Sequence, residues 1–429
     1  MVKNTMVIGF MLFALFFGAG NLIFPPSLGW ASGNDFSWAI LGFVITGVGL
    51  PLLGLIAGAF NEGGIQGEAS KVHPLFGLIL VIVVYLTIGP LFAIPRTATV
   101  AFEMGLVPFI GNTDTNYLPL AAAIYFAVVL YLSINPSKMV DRIGQVLTPM
   151  LLISIFALAV RAFMVLGPGA TEPQASFNAE APFFHGFVEG YQTMDTIAAV
   201  AFAMIAMSAV KATGVTRETG LFKYTVMASL VAGAGLALVY MSLGWVGNHF
   251  ALTTEQAAAV PGNLGAYILT EVATLTYGSF GRYLLSIIVT LACLTTATGL
   301  VVAVSAFFQS IYPKISYKTY AVLFTVVSFG IATMGLNQVI SLSIPVLMVI
   351  YPIIIVLIAL VYLNLVVPVS RLAMQMTVYT TVVVSLLSVF AKGTIEFLPF
   401  RDISMEWLLP AGIALVLGWL INMARGAKG

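Results

Sequence analysis

The sequence predicts an all-α integral membrane protein of about twelve transmembrane helices, arranged as a five-plus-five inverted repeat with broken helices one and six. Three observations predict it. The chain is 60% hydrophobic and 8% charged, with a mean hydropathy of +1.06, where a soluble domain carries roughly 25% charged residues. Its apolar stretches have the length of membrane helices, not of barrel strands. Two of them, five apart in order, are interrupted by glycine and hold a polar residue at depth, Asn21 and Asp195.

The same composition excludes other classes. No polar stretch is long enough to bury a core of its own. A net charge of +1 argues against nucleic acid as a partner. The single cysteine, Cys293, lies in an apolar run, so no internal disulfide forms and the redox compartment stays unread. The first stretch is long, has Lys3 before it, and carries Gly-Asn and Pro-Pro where a cleavage site belongs. It is expected to stay as a helix and not to be removed as a signal peptide.

With about 20 apolar residues per crossing, the segments, numbered one to twelve, fall near 5–30, 36–60, 74–102, 117–135, 143–166, 185–210, 221–247, 279–310, 317–336, 339–364, 372–391 and 406–424. The softest boundary is Gly335-Leu336-Asn337-Gln338, between nine and ten. With the N-terminus inside and loops alternating, 12 Lys and Arg fall inside, Lys138, Arg217 and Lys428 among them, and 5 outside, summing to the 17 present. That bias places both termini in the cytoplasm. Three connectors have room for short helices: Asn61–Val72 inside, and Gly167–Ala181 and Ala251–Thr276 outside. In the last, Thr253 or Thr254 is placed to cap a helix, either as a lid or as a packed connector.

Segment one contains Phe16-Phe17-Gly18-Ala19-Gly20-Asn21-Leu22-Ile23-Phe24-Pro25-Pro26. In a helix interior each Gly costs about 1 kcal/mol and each Pro about 3. Backbone groups freed in lipid find no water. The helix is therefore expected to unwind near Gly18–Asn21, facing a cavity, where open backbone makes a site for ions and small polar ligands. A Gly-rich packing face is the alternative. It suits Gly42, Gly47, Gly49, Gly54 and Gly58 of segment two, but leaves Asn21 and the prolines unexplained.

Segment three is interrupted at Gly89-Pro90 and again at Ile94-Pro95-Arg96. Arg96 is expected to snorkel to the outer face, with Glu103 or another external acid as partner, as an anchor or a gate. Tyr85 is either structural or pocket-lining. Segment six opens Gly186-Phe187-Val188-Glu189-Gly190-Tyr191-Gln192-Thr193-Met194-Asp195-Thr196. An acid within a span costs about 2.5–3.5 kcal/mol on insertion scales. The fifteen residues Thr196 to Val210, C-terminal to Asp195, carry no charge, so Asp195 should face a cavity with a cation near it. Glu189 is shallower, near His185, and is either functional or a solvated helix end.

Segment eight contains Leu291-Ala292-Cys293-Leu294-Thr295-Thr296-Ala297-Thr298-Gly299. Adjacent threonines point about 100° apart on a helix. Their hydroxyls with backbone carbonyls make a hard-oxygen site suited to Na⁺. The alternative is a hydroxyl bonded to its own i−4 carbonyl. Interruptions at matching places in two halves are the sequence pointer to an inverted-repeat transporter. Repeats over 1–166 and 185–364 hold five segments each, and an odd number forces opposite topology. Residues 371–429 then add two accessory segments.

Phe17-Gly-Ala-Gly-Asn-Leu-Ile-Phe-Pro-Pro and Glu189-Gly-Tyr-Gln-Thr-Met-Asp-Thr-Ile-Ala resemble the bacterial branched-chain amino acid:cation symporter family, and the resemblance extends over essentially the whole chain. It implies a leucine-transporter-like fold and uptake of leucine, isoleucine and valine with Na⁺ or H⁺ across a bacterial cell (inner) membrane. It implies no enzymatic reaction and no cofactor beyond the coupling ion. The implied partners are the amino acid and membrane lipid; the oligomeric state is open.

Carried over from that more distant fold, the amides of Ala19 and Gly20 bind the substrate carboxylate, a helix-end dipole facing an anion. One Na⁺ takes the Phe16 carbonyl, Asn21 and Thr193. The other takes the carbonyls of Ala14 and Phe17 with Ala292, Thr295 and Thr296. Asp195 stands where those relatives carry a small neutral residue, and is expected near the substrate ammonium or an adjacent cation. Asn21 and Thr193 also face the substrate, and Tyr85 and Leu300 join the apolar wall. Glu189 and Arg96 are the candidates for a gate or for proton coupling. Segment one lacks the Arg that gates the sodium-coupled relatives. Segment five has no lysine, its interior cation being Arg161 near the external end, which favours Na⁺. The alternatives are a carrier of another neutral amino acid, or an ion channel or exchanger without organic substrate. An intramembrane enzyme is disfavoured, since His-Glu-x-x-His is missing and His73, His185 and His249 all sit near segment ends.

Overall fold

In a computed structural model, residues 2–60, 64–110, 117–134, 139–169, 172–215 and 220–426 are described, and the regular elements among them are all helical. Asn61–Gly63, Ala170 and Thr171 of the connectors, and Lys138, Arg217 and Lys428 of the charge count, lie outside the described residues. Helices occupy each of the numbered segments. Among the described residues six helices are long and apolar enough to cross a membrane, or up to seven if the bent pair Asp195–Ala203 and Ile205–Ala212 is one span. Shorter apolar helices cover Thr5–Phe16, Leu118–Ile134, Pro149–Val165, Tyr317–Ala332 and Leu408–Ala424.

Segment one is broken, but more narrowly than Gly18–Asn21. Its first helix, Val2–Phe16, ends where the Phe17 N–H donates to the Phe13 carbonyl at 2.7 Å, and a new helix starts at Ala19 and runs to Ser32. The cause is Asn21, whose Oδ1 accepts the Gly18 N–H at 2.9 Å. That bond caps the new helix from within, so only Phe17 and Gly18 stay open. Pro25 and Pro26 lie inside the second helix. The neighbouring segment seven closes on their backbone at Gly247, where a Cβ would come within 2.0 Å of the Pro26 carbonyl oxygen. Such neighbour contact is what makes proline tolerable in a membrane helix.

Segment six breaks by another route. Helix Pro182–Glu189 tightens into a 3₁₀ turn over Gly190–Thr193; Met194 is left-handed (φ 63, ψ 9), and helix Asp195–Ala212 comes next. Segment three breaks once, not twice. Pro74–Leu86 passes through a wide turn at Thr87–Leu91, with Gly89 non-helical (φ −93, ψ −122), and restarts as Ala93–Gly105. Pro95 then falls in a first turn, where a missing N–H leaves no bond unmade.

The connector Ala251–Thr276 contains helix. Thr253 caps Thr254–Ala258: the Gln256 N–H donates to its Oγ1 at 3.2 Å, and its own N–H donates to Gln256 Oε1 at 3.0 Å. Asn263 caps a helix that continues into segment eight as Leu264–Ile311, turning at Gly278 (φ 60). Ala19–Ser32 packs on Leu221–His249 and on Leu264–Ile311, which packs in turn on Ala93–Gly105. The Gly190–Thr193 turn meets Ala19–Ser32. The breaks of segments one and six therefore open towards each other and towards the restart of segment three. Arg371–Phe390 and Leu408–Ala424 pack on each other, and the former packs on Leu336–Val366.

Candidate functional site

A small cavity lies where the two breaks meet. Segment one gives it Leu15, Phe16, Gly18, Ala19, Gly20 and Asn21; segment three gives Ile88, Ala93, Arg96 and Thr97. Segment six gives Thr193, Met194, Asp195, Ala198 and Phe202, and segment eight gives Thr296 and Leu300. Of the expected substrate residues, Ala19, Gly20, Asn21, Thr193, Asp195 and Leu300 are thus brought together. Tyr85 is not on this wall. It stacks on Phe307, ring centroids 3.9 Å apart and planes 3° from parallel.

Asp195 is 2% exposed. Its Oδ2 accepts from Asn21 Nδ2 at 2.7 Å and from the Tyr240 hydroxyl at 2.5 Å. Asn21 Nδ2 also donates to the Tyr240 hydroxyl. The Asp195 N–H donates to Thr193 Oγ1 at 3.3 Å, and that hydroxyl donates to the Gly190 carbonyl at 2.9 Å. The carboxylate is therefore ringed by neutral donors. The cation expected beside it is not a side chain: among the described residues Asp195 is in no ion pair. Burying a charge without a countercharge is costly, and hydrogen bonds recover only part of the cost.

Thr296 donates to the Phe17 carbonyl at 3.1 Å, at the open end of the first helix. Its neighbour Thr295 turns back to the Ala292 carbonyl at 2.9 Å. So of the adjacent pair one hydroxyl faces the break and the other closes on its own helix. Of the expected ion ligands, Phe16, Asn21, Thr193 and Thr296 line the cavity, while Ala14, Phe17, Ala292 and Thr295 do not. Glu189, half-buried at the end of Pro182–Glu189, also lies off the wall.

Arg96 departs from its expected place at the outer face. It is 2% exposed and lies on the cavity wall. Its Nη1 donates to the Gln192 carbonyl and its Nη2 to Ser343 Oγ at 3.0 Å. Its guanidinium carbon lies 5.2 Å from the centroid of the Phe24 ring. Glu103, its expected partner, instead accepts the Asn263 N–H at 2.8 Å. The cause is the break at Gly89, which restarts segment three inside the core. Residues 94–102 are buried throughout, so the arginine has no route to the interface.

Tyr240 and Ser343 belong to this constellation and are not marked in the sequence; Gln192 belongs to it too and lies within the segment-six motif, which gives it no role. Each is one polar residue on a long apolar helix or in a turn, and nothing local to it says which way it faces.

A sequence model of the family described as branched-chain amino acid transport protein matches residues 1–425. A protein of Staphylococcus saprophyticus that carries the name putative branched-chain amino acid carrier protein is 49% identical over 433 residues, covering 98% of this chain and 97% of the relative. One of Staphylococcus aureus with the same kind of name is 48% identical over 435 residues, covering 99% and 97%. Among solved structures, MhsT in complex with L-phenylalanine superimposes with a TM-score of 0.60 at 16% identity, covering 96% of this chain and 98% of that one. Mhp1, a nucleobase-cation-symport-1 family transporter, gives 0.62 at 14% identity, covering 96% and 91%. At those identities the likeness establishes the fold, which is the leucine-transporter-like fold expected from the sequence.

Proposed function

The chain belongs to the branched-chain amino acid transport protein family, and on that premise we propose that it imports leucine, isoleucine and valine with Na⁺ by alternating access. It is a multi-pass membrane transporter and not an enzyme. The observation that carries the proposal is the single cavity shared by two helix breaks, with a buried acid on one and a helix N-terminus on the other.

In this scheme the Ala19 and Gly20 amides receive the carboxylate, and Asp195, held by Asn21 and Tyr240, faces the ammonium. The aliphatic chain meets the apolar wall of Ile88, Ala198, Phe202 and Leu300. One methylene is worth only about 1–3 kcal/mol in such a pocket, so the three substrates compete closely. Na⁺ is cargo. One ion takes oxygens of Phe16, Asn21 and Thr193; the other takes Thr296 and the Phe17 carbonyl, which lie 3.1 Å apart, with Ala14 and Ala292 around them, while the Thr295 hydroxyl stays on the Ala292 carbonyl. If ion and amino acid stabilise the same closed state, each raises the affinity of the other by the same factor.

The repeats of this scheme are 1–166 and 185–364, with 371–429 accessory. The Lys and Arg bias supports both termini in the cytoplasm, and the bacterial cell membrane location rests on the family resemblance. The test is uptake of radiolabelled leucine into proteoliposomes under an imposed Na⁺ or H⁺ gradient. Accumulation driven by Na⁺ is expected, with isoleucine and valine competing. Accumulation driven by H⁺ alone would replace the ion, and no uptake of any aliphatic amino acid would overturn the proposal.

A further inference from the structure

Arg96 has no role in ion or amino-acid binding as assigned so far, yet its guanidinium lies on the same cavity wall as Asp195. A planar guanidinium has five N–H donors in a fixed fork. Two contacts hold it, the Gln192 carbonyl and Ser343 Oγ, and both acceptors are neutral. Ser343 is itself fixed, its hydroxyl donating to the Ile340 carbonyl at 2.7 Å. Nε is buried without a partner. Among the described residues Arg96 is in no ion pair. A buried cation in that state lacks an anion, and a buried N–H without an acceptor needs an explanation.

The position of the guanidinium says which anion fits. A Cβ on Gly20 would lie 3.4 Å from Arg96 Nη1, and 3.3 Å from the Phe24 ring and the Gln192 carbonyl oxygen. Arg96 therefore stands beside the first turn of Ala19–Ser32, whose opening amides have no partner within the helix. Ala19, Gly20 and Arg96 line one cavity, and glycine at position 20 lets the guanidinium come close to the helix start. The cavity then holds one buried cation and one buried anion, each fixed by neutral groups and neither paired with the other. A zwitterion supplies both missing countercharges at once.

We propose that Arg96, with the Ala19 and Gly20 amides, receives the carboxylate of the amino-acid substrate, and so fixes specificity for free α-amino acids over amines and amides; this rests on the amino-acid reading of the cavity. Gln192 and Ser343 are its positioning partners. The guanidinium is thus a fixed countercharge for the substrate and is neither an outer anchor nor a gate.

The test is equilibrium binding of radiolabelled leucine to the purified full-length protein, with leucinamide and 3-methylbutylamine as competitors that lack the carboxylate. On the wild-type protein both are expected to compete about 10- to 100-fold more weakly than leucine. Arg96→Met is expected to weaken leucine by a similar factor and to erase its advantage over leucinamide. Arg96→Lys should keep part of that advantage, as a point charge without the fork. Ser343→Ala should weaken leucine by only a few-fold.

Wild-type protein that binds leucinamide as tightly as leucine overturns the assignment without any variant. So does a monodisperse Arg96→Met protein that keeps the wild-type preference. Leucine binding that vanishes when chloride is replaced by gluconate would assign Arg96 to an inorganic anion and also overturn it. If the wild-type protein binds no aliphatic amino acid, the amino-acid reading itself fails and the assignment falls with it. If it binds leucine with no dependence on Arg96, the assignment fails alone.

Discussion

The breaks in segments one and six reverse the usual relation between residue and backbone. At Gly18 the backbone has a negative φ (−125), which does not demand glycine. Glycine serves space there, since a Cβ would approach Thr296 Cγ2 to 3.1 Å. At Met194 the backbone is left-handed (φ 63), the region that favours glycine, yet a methionine occupies it, buried to 2% exposure. The first break is shaped by Asn21, which accepts the Gly18 N–H, and by the Thr296 side chain packed against Gly18. The second is shaped by the next residue in the chain, Asp195, which the turn delivers to Asn21 and Tyr240. One break offers amides and carbonyls; the other offers a charge.

The sharpest way to break this division of roles is Asp195→Asn. The amide keeps the size and can still bond Tyr240, but loses the charge. Leucine uptake is expected to fall about 30-fold or more, the equivalent of a lost charge-assisted hydrogen bond of about 2 kcal/mol, with membrane insertion unchanged. Wild-type transport and ion dependence in that variant would remove Asp195 from the site.

A smaller effect tests the first break. Thr296→Ala should raise the Na⁺ concentration for half-maximal uptake by about 3- to 10-fold. Thr295→Ala should leave it unchanged, because that hydroxyl is spent on the Ala292 carbonyl. Equal shifts in both variants would mean that the two hydroxyls do not divide as their hydrogen bonds divide.

The smallest effect concerns the turn itself. Met194→Gly relieves a left-handed penalty of about 1–2 kcal/mol but removes a buried side chain worth about 2–5. A net loss of about 1–2 kcal/mol is expected, seen as a thermal midpoint a few degrees lower in detergent. A higher midpoint would show that strain, and not burial, dominates at this position.

Distance along the chain decides how much of the fold and the site is legible in the sequence. Long apolar runs, the Gly-Asn and Pro-Pro interruption and the Thr253 cap are local features, and the fold class can be read from them. The contacts that make the site are not local: Asn21 reaches Asp195 across 174 positions and Tyr240 across 219. The two interruptions and the acid point to a cavity, but no pattern within segment seven marks Tyr240 as the residue that closes it. Arg96 misleads because its depth depends on a bend seven residues earlier, at Gly89. Tyr85 misleads because the facing of a mid-segment side chain depends on helix rotation, which hydropathy does not fix. The resemblance to known transporters adds what spacing alone lacks, namely which oxygens to set beside which.

Accumulation of leucine in proteoliposomes above its external concentration tests most directly whether the two breaks form one site for amino acid and ion. Uptake that rises with an inward Na⁺ gradient, stops when the gradient is collapsed and is crippled by Asp195→Asn is the predicted result. Ion flux that ignores leucine, with no gradient-driven uptake of any aliphatic amino acid, would contradict it.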